Sequence, residues 1–161
     1  MKRYIYLDID GILSLGSEIH PKLTKWGYVH RFNAKAVKVL NLILDETNAE
    51  IVISSDWKDH YSLKDLQEIF IEWAKIKKAP IDVTIGLKGK TMQLLEKFRA
   101  EFRAEEILEH VDRIKPHSWV AIDDLDLSFW IAEKHFVICT RFYEGIKQSG
   151  KSVEVIKKLM I

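Results

Sequence analysis

Short apolar runs alternate with longer amphipathic stretches along this chain. Continuous apolar runs at residues 4–7, 51–53, 119–122 and 136–138 predict buried strands, because a strand covered on both faces carries apolar residues at successive positions. Strands separated by helix-length segments are typical of βαβ units, in which the strands run parallel. The pattern therefore predicts an α/β fold with one doubly wound, Rossmann-like, mainly parallel sheet flanked by helices.

Two of the amphipathic stretches carry helix start signals. Asn33 precedes apolar residues at positions 36, 37, 40, 43 and 44, which follow the i, i+3, i+4, i+7 spacing of one helix face. Ser62 precedes apolar residues at positions 63, 66, 69, 70 and 73, and this second helix should end before Pro80. Both segments are therefore predicted to be helices with one buried face.

Two more helices are predicted in the second half of the chain. One runs from Thr91 to about Val111, and its charge-rich middle, residues 99–106, is a candidate for a break. Its apolar positions at mostly helical intervals are Leu94, Leu95, Phe98, Ile107, Leu108 and Val111. The other helix covers residues 152–159 and closes the fold.

The composition is that of a globular domain with a well-filled core. The chain has 161 residues, of which 47% are hydrophobic and 30% are charged, so we expect one domain over residues 1–161 rather than a disordered chain. Its 25 basic and 24 acidic residues give a net charge of +1. Binding to nucleic acid would therefore need a local patch, because the whole molecule supplies no strong field.

Cysteine content and the first apolar run indicate where the protein works. The single cysteine, Cys139, cannot form an internal disulfide, which favours a reducing compartment. Asp8 and Asp10 interrupt the first apolar run before it could serve as a signal sequence or span a bilayer. We therefore expect a cytoplasmic protein without a membrane partner. The six histidines show no metal-ligand spacing, so we expect them to be solvated or packed in loops.

Carboxylates follow two of the predicted strands. Asp8 and Asp10 come directly after the first strand, and Asp123 and Asp124 come after the third. The carboxyl ends of parallel strands line one crevice, so these side chains should converge there. Crowded carboxylates repel one another unless a cation neutralises them, and an all-oxygen site favours a hard ion. The sequence therefore predicts a Mg²⁺ site.

The same crevice has the groups that phosphoryl transfer needs. Asp8 and Asp10 share one face of the strand, so one carboxylate could attack phosphorus while the other protonates the leaving oxygen. Ser54 follows the second strand, where its hydroxyl would bind a phosphoryl oxygen. Lys88 would bring a cation to the phosphate, with Lys90 as the alternative. A turn serine or a surface lysine is ordinary by itself, so the ordered set carries this hypothesis.

The ordered set resembles the four motifs of the haloacid dehalogenase-like (HAD) superfamily over roughly residues 4–126. The motifs are Asp8-Ile9-Asp10-Gly11-Ile12, Ser54 after an apolar strand, Lys88, and Asp123-Asp124 after an apolar strand. Residues 31–33 and 53–58, with Thr140 and Gly145, are similar to the small HAD domain associated with RNA-repair proteins. The resemblance implies a phosphatase and suggests polynucleotide ends as its substrate.

The resemblance also implies a role for each motif residue. Asp8 would be the nucleophile that forms an aspartyl-phosphate, and Asp10 would be the acid and base. Mg²⁺ would be held by Asp8, the backbone carbonyl of Asp10, and Asp123 or Asp124. Ser54 and Lys88 would bind and neutralise the transferred phosphoryl group.

The spacing between motifs leaves no room for a separate cap domain. An uncovered site suits a large substrate or a partner subunit that excludes water, and the sequence leaves the oligomeric state open. Trp26, Tyr28, His30 and Arg31 follow the first motif and could form a base-stacking, phosphate-binding surface. Packing of this loop onto the domain explains the aromatic residues equally well.

Three alternatives stay open at the level of the sequence. A phosphatase of small metabolites or nucleotides would use the same motifs. A non-catalytic nucleic-acid-binding module could retain the fold, although an unused acidic cluster costs stability. A response-regulator receiver combines similar residues, but its acidic pair comes at the first strand and its acceptor Asp later, whereas Asp123 and Asp124 come last here.

Overall fold

Each predicted apolar run forms a strand, and three further short strands are present. The computed structural model describes residues 1–16, 20–86 and 91–161. In chain order the strands are β1 (Arg3–Leu7), β2 (Lys22–Thr24), β3 (Gly27–Val29), β4 (Glu50–Ile53), β5 (Asp82–Val83), β6 (Ser118–Asp123) and β7 (Phe136–Ile138). The helices are α1 (Ala34–Thr47), α2 (Leu63–Glu68), α3 (Met92–Lys97), α4 (Arg99–Ile114) and α5 (Lys151–Leu159).

Five strands form one parallel sheet in the order β5-β4-β1-β6-β7, which confirms the predicted α/β architecture. β1 lies in the middle, and its Leu7 pairs with Ile53 of β4 and Ile122 of β6. The carboxyl ends of these three strands therefore lie side by side. The pair β2 and β3 forms a separate antiparallel hairpin, which the sequence pattern did not predict.

Apolar side chains fill a core on each face of the sheet. Successive β1 residues alternate between the two cores: Ile5 and Leu7 face α1, α2 and α5, whereas Tyr4 and Tyr6 face α4. Because both faces are covered, the strands carry apolar residues at every position. This two-sided burial is the reason that unbroken apolar runs predicted the strands correctly.

The caps predicted for α1 and α2 are present. The side chain of Asn33 accepts a hydrogen bond from the Ala36 N–H at 3.0 Å, and the five predicted apolar positions of α1 are buried. Ser62 caps α2 by accepting from the Asp65 N–H at 3.1 Å. After α2 the chain continues as a π-helical turn over Ile69–Trp73, so the second predicted helix ends before Pro80 as expected.

The third predicted helix differs from the sequence-based expectation in two ways. Its break lies at Phe98, which ends α3 and begins α4, rather than within residues 99–106. Leu94, Phe98 and Leu108 are exposed, while Arg103, Glu106 and His110 are buried. The expectation that every histidine is solvated or loop-packed is therefore wrong for His110. These polar side chains are buried because each has a partner on the sheet side of α4.

Two findings concern the rest of the molecule. In the residues that the structure describes, no helix is long and apolar enough to cross a membrane. Cys139 is fully buried next to the carboxyl end of β7, and burial raises the pKa of its thiol to about 12. This cysteine is therefore a packing residue and not a reactive thiolate.

Candidate active site

Three of the predicted site residues meet at adjacent strand ends. Asp8, Ser54 and Asp123 come directly after, or at, the last paired residues of β1, β4 and β6. The backbone N–H of Asp8 donates to the Ile122 carbonyl at 3.0 Å, and the Ser54 N–H donates to the Leu7 carbonyl at 3.0 Å. The sheet register thus brings together residues that are about a hundred positions apart in sequence.

The carboxylates of Asp8, Asp123 and Asp124 form one cluster, with oxygen atoms within 4.8 Å of one another. Asp8 is 5% exposed and Asp123 is fully buried, while Asp124 is closer to solvent. Burial raises the pKa of Asp8 well above its usual range, and the neighbouring Asp123 carboxylate raises it further. Burial also raises the pKa of Asp123 to about 6, against the opposing effects of Arg103 and the Leu125 N–H.

Gly11 makes room for this carboxylate cluster. Its φ of +79° lies in the left-handed region, which glycine adopts without strain. A Cβ at this position would lie 2.6 Å from Oδ2 of Asp124, which is too close for a non-bonded contact. Glycine therefore permits both the turn after β1 and the approach of Asp124 to Asp8.

Arg103 inserts a positive charge among the acidic side chains, and the sequence analysis missed it. Its Nη1 lies 2.7 Å from Oδ2 of Asp123 and 3.4 Å from Oδ1 of Asp8, and its Nη2 lies 2.9 Å from Oδ1 of Asp56. The side chain is only 4% exposed. Burial lowers the pKa of Arg103, but the Asp123, Asp8 and Asp56 carboxylates outweigh this effect and keep the guanidinium charged.

A divalent cation fits the charge that remains. Three carboxylates and one guanidinium in contact with two of them leave two negative charges when all the groups are ionised. Hard divalent cations prefer carboxylate and carbonyl oxygens, which are the donors that this strand edge offers. Burial is the main cause of the raised pKa values of Asp8 and Asp123, and a bound cation would oppose it by favouring the ionised carboxylates.

Asp10 has different surroundings from the three clustered carboxylates. Its side chain is exposed, is not part of the three-carboxylate cluster, and accepts a hydrogen bond from Nε1 of Trp57 at 3.1 Å. Trp57 is 4% exposed, so it holds the Asp10 carboxylate from a fixed position. Because the Asp10 side chain is bonded to Trp57, we expect the backbone carbonyl of Asp10 to be the group that binds the metal, as the family resemblance implies.

Asp10 also borders a cleft of about 520 Å³. Aromatic and imidazole side chains dominate its wall, with a second carboxylate beside them. The lining residues are Asp10, Trp26, Tyr28, His30, Asp56, Trp57, His60 and Tyr61. Trp26, Tyr28 and His30 of the predicted stacking loop thus line the cleft, whereas Arg31 does not.

Ser54 has a hydroxyl that is ready to accept or donate a hydrogen bond. The residue is fully buried, and its Oγ is one of two buried side-chain polar atoms without a partner among the described residues. Buried hydroxyls normally have partners, so an orphaned one at a strand end fits a group that binds a ligand oxygen. Lys88 and Lys90 lie outside the described residues, so their predicted role has no structural counterpart here.

A second buried ion pair supports the edge of the site at β4 and β5. Nζ of Lys58 contacts Oε2 of Glu106 and donates to Oγ1 of Thr84 at 3.0 Å. Both charged side chains are at most 10% exposed. The pair ties the turn after Ser54 to α4, the helix that carries Arg103. Arg103 and Glu106 are three residues apart, so both side chains lie on the same face of α4.

Comparisons with known proteins agree with the motifs. A family model described as the HAD domain in Swiss Army Knife RNA repair proteins matches residues 4–149 of the 161-residue chain. No curated protein and no solved structure matches the chain significantly.

Proposed function

The chain belongs to the family of HAD domains found in Swiss Army Knife RNA repair proteins, and we propose that it is a Mg²⁺-dependent phosphatase whose nucleophile is Asp8. One observation carries the proposal: Asp8 lies at the end of the central strand with Asp123 and Asp124 beside it. Phosphoryl transfer depends mainly on positioning and on neutralising charge, and this cluster supplies a nucleophile and a cation site together.

In the first chemical step the two aspartates of the first motif have different roles. An oxygen of the Asp8 carboxylate attacks phosphorus, and the bond from phosphorus to the leaving oxygen breaks. Asp10 gives its proton to that leaving oxygen, which departs as an alcohol. Trp57 supports this role, because its Nε1–H holds one oxygen of the Asp10 carboxyl group, and no other described residue hydrogen-bonds the second oxygen.

The second step regenerates the enzyme. Asp10, now a carboxylate, takes a proton from water, and the resulting hydroxide attacks phosphorus of the aspartyl-phosphate. The bond between phosphorus and the Asp8 oxygen breaks, and inorganic phosphate leaves. The Ser54 hydroxyl is free to donate a hydrogen bond to a phosphoryl oxygen, since it has no partner among the residues that the structure describes.

Asp8, Asp123, Asp124 and the Asp10 carbonyl would hold the metal. Mg²⁺ bound there supplies positive charge for the phosphoryl oxygens and lowers the pKa of the Asp8 carboxyl group. Arg103 adds a permanent charge beside Asp8 and Asp123, and Lys88 stays the predicted cation for the transferred phosphoryl group. As a contact of the nucleophile, Arg103 also keeps Asp8 in its orientation.

The test is phosphate release by the purified protein with Asp8→Asn as the variant. An amide oxygen cannot attack phosphorus, so Asp8→Asn should lose all turnover, and wild-type activity should disappear in EDTA and return with Mg²⁺. Asp126→Asn is the matched control, because Asp126 is exposed, bonds only Ser128 among the described residues and lies outside the cluster. Full activity of Asp8→Asn, or of the wild type in EDTA, would overturn the proposal.

A further inference from the structure

The position of Asp10 indicates where the leaving group binds. In the proposed mechanism Asp10 protonates the leaving oxygen, so the rest of the leaving group must occupy the space next to its carboxyl group. That space is the cleft of about 520 Å³ whose walls include Asp10. The residues of this cleft therefore determine which alcohol the enzyme releases.

The cleft offers aromatic faces to a flat ligand. Tyr28 is 67% exposed, and the described residues include no aromatic ring stacked against it. Trp57 and Tyr61 lie behind it in the same cleft with ring centroids 5.5 Å apart. An exposed aromatic ring beside a buried aromatic wall is a suitable platform for stacking, and stacking on such rings is tolerant of base identity.

Helix-side residues hold the platform in place. The Tyr61 hydroxyl donates to the backbone carbonyl of Tyr28, and Nε1 of Trp26 donates to Oε2 of Glu68 at 2.8 Å. Nε1 of Trp73 donates to the His30 carbonyl at 3.1 Å. The hairpin that carries Tyr28 is thus hydrogen-bonded at three points along and just after it, so the backbone that presents the exposed ring is held in place before a ligand binds.

The polar groups of the cleft suit a heterocycle better than an anion. Asp10 places a carboxylate at the wall, where it would accept hydrogen bonds from amino groups and repel phosphate, while the Asp56 carboxylate is already paired with Arg99 and Arg103. His30 and His60 add ring nitrogens that either donate or accept. A nucleobase combines a planar aromatic face with amino and ring-nitrogen edges, whereas a simple sugar has no planar aromatic face and a phenol has no such edge.

We propose that this cleft binds the nucleoside of the substrate, with its base stacked on Tyr28 and its phosphate at Asp8. The inference rests on the proposed phosphatase function and specifies its substrate class as nucleotides or phosphorylated strand ends. It assigns the aromatic hairpin as a specificity-determining element rather than a packing loop.

Two measurements test this assignment. The first compares kcat/KM for adenosine 3′- and 5′-monophosphate with that for ribose 5-phosphate, in the wild type, Tyr28→Ala and Tyr28→Phe. We expect a preference for the nucleotide that falls roughly tenfold to a hundredfold in Tyr28→Ala, since this is the range of one base-stacking contact, and that persists in Tyr28→Phe. Tyr143→Ala is the control: Tyr143 is 70% exposed and does not line the cleft.

The second measurement is calorimetric titration of adenosine, and of ribose, into the Asp8→Asn protein. Adenosine should bind more tightly than ribose, and Tyr28→Ala in the same background should remove the difference. Equal kcat/KM for nucleotide and sugar phosphate together with equal binding would overturn the inference while leaving the phosphatase intact. A preference for a phosphotyrosine peptide over nucleotides would also overturn it. Absence of phosphate release from every substrate would instead overturn the phosphatase proposal, and adenosine binding would still decide the nature of the cleft.

Discussion

Arg103 neutralises part of the negative charge of the carboxylate cluster when no metal is bound. It contacts two buried carboxylates, and removing it would leave both without a cation. We expect Arg103→Ala to lower the free energy of unfolding by about 3–5 kcal/mol, the usual cost of removing one partner of a buried ion pair. Urea unfolding in EDTA at pH 7.5 measures this effect.

Arg99 provides a matched comparison for that variant. It also bonds Asp56, with Nη2 2.6 Å from Oδ2, but its side chain is 56% exposed. Exposed pairs contribute about 0–1 kcal/mol, so Arg99→Ala should change stability little. Equal losses in Arg99→Ala and Arg103→Ala would show that burial of the Arg103 charge is not what matters.

Replacing Gly11 should affect both the stability of the protein and its binding of Mg²⁺. Gly11→Ala combines a left-handed φ with a contact of 2.6 Å to Asp124, so we expect loss of stability and weaker Mg²⁺ binding. Gly27→Ala is the control, since Gly27 has a φ of +91° but open space around its Cβ position. It should show the backbone strain alone, roughly 1 kcal/mol, and leave calorimetric Mg²⁺ affinity unchanged. Unchanged Mg²⁺ affinity in Gly11→Ala would contradict the steric argument.

At the residue scale the sequence identified the acidic centre but not its cation. Asp8, Asp123 and Asp124 were predictable because each follows an apolar run, and parallel strands end at one edge. Arg103 was not, because it sits inside a helix where charged residues usually face solvent. Its burial depends on contacts with strands that are distant in sequence, and a single sequence does not reveal those contacts.

Helix α4 shows the same principle at the scale of an element. Its inner face carries Arg103, Glu106 and His110, spaced by three and four residues, and they bond Asp123 of β6, Lys58 after β4 and Tyr6 of β1, respectively. A pattern that counts only apolar residues describes this face as a charged, broken helix. The i, i+3, i+7 spacing of the three polar residues was the signal that could have located the face.

His110 is the member of this face nearest the C-terminal end of α4. It hydrogen-bonds the Tyr6 hydroxyl at 2.9 Å and Asp82 at 3.0 Å, and it is 1% exposed. We expect His110→Ala to cost roughly 1–3 kcal/mol in the free energy of unfolding beyond its packing loss, because the buried Tyr6 hydroxyl loses its partner. Urea unfolding of a double-mutant cycle with Tyr6→Phe isolates this contribution.

The cycle has a clear expected sign. Tyr6→Phe removes the stranded hydroxyl, so the double variant should be more stable than the sum of the single losses predicts. Exposed His117 supplies the control, and His117→Ala should change stability by less than about 0.5 kcal/mol. Simple additivity of the two buried variants would mean that the hydrogen bond contributes nothing.

The whole molecule should respond to pH and metal together. Asp8 and Asp123 have raised pKa values in the folded protein, that of Asp123 near 6. Between about pH 4 and these raised values, the folded state holds more protons than the unfolded state, so the free energy of unfolding falls as pH rises. In EDTA we therefore expect a lower Tm at pH 7.5 than at pH 5.5.

Two comparisons assign this pH dependence to the acidic cluster. Asp123→Asn should flatten it, because the amide does not titrate. Mg²⁺ should raise Tm more at pH 7.5 than at pH 5.5, since protons compete for the same oxygens, and at a hundredfold excess over Kd the stabilisation is about 2.7 kcal/mol. A Tm that rises with pH in EDTA, or an equal Mg²⁺ effect at both values, would contradict the raised pKa values.

The overall architecture was the most predictable level of the molecule. Parallel strands buried on both faces leave a strong sequence signal, and β1, β4, β6 and β7 were each found from it. The two-residue strand β5 and the hairpin of β2 and β3 leave almost none, because they are short and partly exposed. Their positions depend on side-chain bonds from elsewhere in the chain.

The attachment of that hairpin has a consequence for how such a protein can diversify. Its three bonds come from Tyr61, Glu68 and Trp73, which all lie in or around α2 and outside the carboxylate cluster. The hairpin and the α2 region can therefore change together in sequence while Asp8, Asp123 and Arg103 stay the same. Changes of specificity in this scaffold should accumulate as paired substitutions between residues 22–30 and 61–73, because an altered hairpin needs an altered helix to hold it.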